Sequence, residues 1–149
     1  MQARFLFMLM ALGLGAILPI QAAINARLAK AIGGPVTAAF ASFAVGTIAL
    51  FVYLVLSRQI RLPTAALQQT SWWMWIGGVM GTFFVAGIVI LLPRLGVALS
   101  FSLVIAGQMA AAIIFDHFGL LGIPVREISL GKIIGALLLI AGVALIRKF

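Results

Sequence analysis

Two carboxylates, one histidine and no cysteine leave this chain of 149 residues few groups for acid–base, nucleophilic or metal chemistry. The polar residues that stand out are amides. Gln21 and Asn25 lie within the otherwise apolar run that begins at Phe5, in the stretch Pro19-Ile20-Gln21-Ala22-Ala23-Ile24-Asn25. Four residues apart, they share a helix face. Pro19 supplies no N–H and leaves the carbonyl of Gly15 without its usual donor, so it also predicts a kink. Amides in lipid need a partner or a water-filled cavity. Gln21 and Asn25 are therefore either interhelical glue or substrate contacts. Gln108 beside Gly107 carries the same two readings. Ser42 can contact a ligand or satisfy itself on its own backbone. Trp75 can stack on a ligand or belong to an interfacial aromatic belt with Trp72 and Trp73.

Asp116 is the acid closest to a helix end and has His117 as its neighbour. Adjacent residues on a helix point about 100° apart, so the two are not a ready dyad. Asp116 is expected either to bond loop amides or pair with an arginine, or to serve in proton coupling. Glu127 reads as a solvated loop residue. No nucleophile–base pair and no cluster of metal ligands emerges, so neither an enzyme nor a metal or cofactor site is expected.

The elements that must position these residues follow from composition. The chain is 65% hydrophobic and 8% charged, with a mean hydropathy of +1.31. This is an all-α, polytopic membrane protein. Its net charge of +8 does not imply nucleic acid, because the basic residues stand between apolar runs, at lipid headgroups. The first run is too long for the core of a cleavable signal and leads straight into a second.

Five membrane-spanning helices are expected, over about 4–32, 35–56, 72–92, 97–115 and 129–146, in a single transmembrane domain. Gly33-Gly34-Pro35 ends the first, and Pro93-Arg94-Leu95-Gly96 separates the third from the fourth. Residues 57–70, with Arg58, Arg61 and Pro63, make a short polar connection. Arg4, Arg58, Arg61, Arg126 and Lys132 then fall on one side of the membrane. Arg27, Lys30, Arg94, Arg147 and Lys148 fall on the other. Orientation follows such an asymmetry, and five against five leaves none. Either errors in the boundaries conceal a bias, or the chain inserts both ways. Five helices enclose little volume, while transporters commonly pair inverted repeats around one site. A transporter of this size needs its second repeat from another chain, and an antiparallel copy would supply it.

The chain resembles the short five-helix bacterial branch of the drug/metabolite transporter superfamily, the YdcZ-type inner-membrane proteins. The likeness runs nearly end to end. It is carried by Pro19-x-Gln21-Ala22-x-x-Asn25, Ala41-Ser42-Phe43-x-x-Gly46-Thr47, Trp75-x-Gly77-Gly78, Pro93-Arg94-Leu95-Gly96, Gly107-Gln108 and Asp116-His117-Phe118-Gly119. Gly135-x-x-Leu138-Leu139-x-x-Gly142-Val143 is similar to the last helix of the small multidrug resistance proteins, where that pattern packs a dimer. Gly131, Gly135 and Gly142 share a face and admit close backbone contact, either with a partner or within the chain.

The resemblance implies a multi-pass protein of the bacterial inner membrane that transports a small polar metabolite or drug-like molecule. It also implies an inverted-repeat assembly, completed by an antiparallel copy or a similar paralogue. Small multidrug resistance proteins carry a membrane-embedded glutamate in their first helix, which this chain lacks. Its amides suit polar neutral, zwitterionic or anionic substrates better than lipophilic cations. The alternative is a non-transporting integral subunit that scaffolds a larger complex.

Overall fold

The computed structural model describes residues 2–59 and 70–149, most of which are helical, with no strand among them. Arg61 and Pro63 lie outside the described residues. Helix α1 runs over Gln2–Ile32 and passes through Pro19 without interruption. The Gly34 N–H closes its last turn on the carbonyl of Ala29 at 2.8 Å, a wide cap that satisfies a carbonyl the helix would otherwise orphan. Helix α2, Pro35–Leu56, starts on a proline at its first turn, where a missing N–H costs nothing. The two helices pack together. Ala22 and Asn25 of α1 and Ala38 and Ala39 of α2 are buried, because only small side chains permit so close an approach.

Trp72–Trp75 forms a single 3₁₀ turn, its rings exposed as an interfacial belt requires. Helix α3 then extends over Ile76–Phe118, 43 residues with Pro93 inside. Pro93 does not end it. The break falls at Gly96, whose φ of 76° and ψ of 167° lie outside helical geometry and are open to a residue without Cβ. Four long apolar helices are thus described where five were expected, α3 consisting of two arms that meet at Gly96.

The chain divides into two compact units, one up to Pro93 and the other Arg94–Phe149. In the second unit the C-terminal arm of α3 ends at Phe118, three residues later than expected. Gly119 follows in the left-handed region at φ 60°. The Arg126 N–H returns to the Asp116 carbonyl at 2.7 Å, tying the connection to the end of the arm. Helix α4, Leu130–Lys148, is capped by Ser129, whose Oγ accepts from the Lys132 N–H at 3.3 Å. This is the side-chain cap that serine supplies best.

The apolar stretches of the four helices are at most 28% buried. Leu137 and Leu138 on α4 are 59% and 67% exposed. Such faces would be untenable in water and are what a lipid-facing surface requires.

Candidate functional site

The amides of α1 part company on folding. Asn25 is 4% exposed, and its Nδ2 has no acceptor among the described residues. Gln21, one turn earlier, stays exposed and lines a cavity of ≈ 240 Å³ between α1 and α2. Two neighbouring rows of α2 form its other wall: Ser42, Gly46 and Leu50 in one, Phe43 and Thr47 in the next. Each row is spaced by four residues, so each is a ridge on one helix face. Gly46 leaves the room, while Ser42 and Thr47 bring hydroxyls and Phe43 an aromatic face. The wall so formed carries donors and acceptors but no charge.

Phe43 is held from behind by the N-terminal arm of α3. A Cβ placed on Gly81 would stand 3.3 Å from its Cζ, so glycine there is what lets the ring take its place. Of the residues expected at the site, Gln21 and Ser42 share this cavity, and Asn25 is one turn from Gln21. Trp75 is 62% exposed at the 3₁₀ turn. Gln108 is exposed on the C-terminal arm of α3, in the second unit. Thr47 and Phe43 were not among the expected contacts. Their four-residue spacing beside the Ser42 row is the signal that points to them.

Hydroxyls elsewhere on α3 show what self-satisfaction looks like. Thr82 donates to the Gly78 carbonyl at 3.0 Å and Ser102 to the Ala98 carbonyl at 2.7 Å, the back-bonding open to serine and threonine in helices. Ser100 is 1% exposed and its Oγ has no partner among the described residues. Its carbonyl one turn back belongs to Gly96, where the helix is broken.

Asp116 is engaged by a lysine rather than an arginine. Lys132 Nζ, in the first turn of α4, lies 3.3 Å from Asp116 Oδ2 and 3.4 Å from the Arg126 carbonyl. The two side chains keep 31% and 34% exposure. His117 is not part of this arrangement. Its ring meets Phe118 edge-on at 4.8 Å and its Nδ1 is buried with no partner among the described residues. Gly135 and Gly142 line two cavities between α4 and the C-terminal arm of α3.

Residues 6–145 match the family described as "Putative inner membrane exporter, YdcZ". The chain is similar to the inner membrane protein YdcZ of Escherichia coli (strain K12), 28% identical over 148 residues, covering 99% of this chain and 97% of that protein. No solved structure matches it.

Proposed function

The chain belongs to the YdcZ branch of the drug/metabolite transporter superfamily in the inner membrane, and we propose that it exports a small polar solute as one half of an antiparallel homodimer. The family match carries the transporter role and the multi-pass location. The observation that carries the site is the uncharged cavity on which Gln21 and the Ser42 and Thr47 ridges converge. Its wall offers directional hydrogen bonds and an aromatic surface. That selects a neutral, zwitterionic or anionic solute by shape and hydrogen-bond pattern rather than a cation by charge.

Asn25 deepens the same reading. A buried amide N–H without an acceptor costs about 1–3 kcal/mol, so a substrate or a partner that supplies the acceptor recovers that amount. Pro19 allows α1 to bend beside the two amides. Trp75 and Gln108 are kept as proposed solute contacts, each within its own unit.

The assembly follows from length. At 1.5 Å per residue the 43 residues of α3 would extend about 65 Å, roughly twice a ~30 Å hydrocarbon core. The two arms joined at Gly96 therefore make separate crossings, for five in all. An odd number places a second, oppositely inserted copy in inverted relation to the first, as alternating access around a shared site requires. The evenly divided basic residues permit both insertions. Gly131, Gly135 and Gly142 let the partner approach α4 closely. Asp116 serves as a clasp for the end of α3 through Lys132.

The test is transport by purified protein in liposomes, with the solute first found by a thermal-shift screen of metabolites. Gln21→Ala is expected to abolish transport while the dimer persists. Undiminished transport would remove Gln21 from the site.

A further inference from the structure

A second site lies within the unit Arg94–Phe149 and shares no residue with the cavity that Gln21 lines. Between α4 and the C-terminal arm of α3 runs a groove with two cavities. The first, ≈ 300 Å³, is lined by Met109, Ala112, Asp116, Lys132 and Gly135, among others. The second, ≈ 160 Å³, is lined by Ser102, Ile105, Gly142, Val143 and Ile146. Leu139 lines both and joins them. From Asp116 to Ser102 on one wall, and from Lys132 to Ile146 on the other, the groove covers 14 residues, or about 21 Å at the helical rise. One leaflet of a ~30 Å core is about 15 Å deep. The groove is therefore longer than an acyl chain's passage through a leaflet, apolar along its length and charged at one end.

The charged end is not closed on itself. The Lys132–Asp116 contact of 3.3 Å is longer than the 2.7–2.9 Å usual for a charge-assisted bond. Both side chains keep about a third of their surface exposed. Lys132 has three N–H bonds, and its contacts to Asp116 Oδ2 and the Arg126 carbonyl leave one to donate. A carboxylate and an ammonium side by side complement a ligand head that carries both signs.

We propose that this groove holds one acyl chain of a zwitterionic aminophospholipid of the phosphatidylethanolamine class. The lipid phosphate accepts from Lys132 Nζ, and its ammonium donates to Asp116. The chain lies along Met109, Leu139 and Val143. On α4, Gly135 and Gly142 line this groove and share a sector of about 40° with Gly131 by the 100° rule, so the lipid borders the face left to a partner helix. The site is built from one unit of one chain and does not depend on the dimer.

The test uses phosphatidylethanolamine with a photoactivatable group midway along one chain, reconstituted with the full-length protein in phosphatidylcholine vesicles. Crosslinks are expected on α4 and the C-terminal arm of α3, competed by unlabelled phosphatidylethanolamine and poorly by phosphatidylglycerol. Leu139→Trp, which fills the junction of the two cavities, is expected to remove them. Lys132→Met, which deletes one charge-assisted hydrogen bond, is expected to weaken competition by about tenfold.

Equal labelling of α1 and α2, or labelling untouched by Leu139→Trp, would overturn the proposal. So would a groove already filled by a second copy, seen as a crosslink from a photoreactive residue at position 139 into a partner chain. Should Lys132→Met fail to fold, the Leu139→Trp result and the headgroup competition on the unaltered protein still decide it.

Discussion

Lys132 Nζ lies 3.3 Å from Asp116 Oδ2 across 16 residues of sequence, and the same ammonium reaches the Arg126 carbonyl. One side chain at the start of α4 thus fastens both the end of α3 and the connection between them. An ion pair about a third exposed is worth little by itself, roughly 0–1 kcal/mol. Asp116→Asn is accordingly expected to lower the melting temperature in detergent by no more than a few degrees. The response of transport to an imposed pH gradient is expected to be the same in Asp116→Asn as in the unaltered protein. A response present in the unaltered protein and lost in Asp116→Asn, with folding intact, would make Asp116 the proton-coupling group instead of a clasp.

The two amides of α1 separate substrate contact from interhelical glue. Gln21 is exposed in its cavity, so Gln21→Ala is expected to change stability by less than about 0.5 kcal/mol and to remove transport. Asn25 is buried, and its Nδ2 has no partner among the described residues. Deleting an unsatisfied polar group relieves a desolvation cost, so Asn25→Ala is expected to leave the melting temperature unchanged or raised while transport falls. A marked drop in melting temperature would identify Asn25 as glue. Parallel melting curves and liposome assays on the two variants check both outcomes.

Gly81 supports the cavity from outside it. An alanine there would bring its Cβ to 3.3 Å from Phe43 Cζ, so the ring must yield by a few tenths of an ångström. Since Phe43 lines the cavity with Gln21, Gly81→Ala is expected to weaken the apparent affinity for the solute with little loss of stability. Gly81→Val is expected to do so more strongly. Transport kinetics against solute concentration measure the difference.

Gly119 is required by backbone geometry. It sits at φ 60°, and an added Cβ would lie 2.7 Å from Val125 Cγ2 and 3.2 Å from the Ile123 carbonyl. The left-handed conformation alone costs a residue with Cβ about 1–2 kcal/mol. Gly119→Ala is therefore expected to reduce the yield of folded protein and its melting temperature. Adding Val125→Ala should recover only the part due to the clash. Full recovery in the double variant would show that the backbone conformation carries no cost here.

Water in the cavity distinguishes a transporter from a scaffold. A cysteine at Gly46, which faces Gln21 across the cavity, is expected to react with a water-soluble thiol reagent in intact membranes, in a chain that has no cysteine of its own. Protection at that position, with labelling at a loop cysteine as control, would favour the scaffold.

Local signals made most helix ends legible. Gly33-Gly34-Pro35 and Ser129 mark the ends where the α1–α2 turn and the cap of α4 are found, because caps are written in adjacent residues. The 93–96 turn was legible as a boundary, yet its chemistry was not. Proline keeps a helical φ, and the break is made by Gly96 three residues on. The partner of Asp116 was beyond reach for a different reason. Lys132 reaches it only once the chain has closed the Gly119–Ser129 connection, and residue spacing along one helix carries no trace of that return. The amides were legible as unusual, while their division into an exposed and a buried member depends on how closely Ala38 and Ala39 admit α1.

The claim that one chain supplies both halves of the transporter is tested most directly by the side of the membrane on which Phe149 lies. Cysteine introduced there is labelled in cells with and without permeabilisation, in a strain that lacks similar proteins. The account predicts two populations of comparable size, one accessible from each side. A single population, confined to one side while transport is retained, would contradict it.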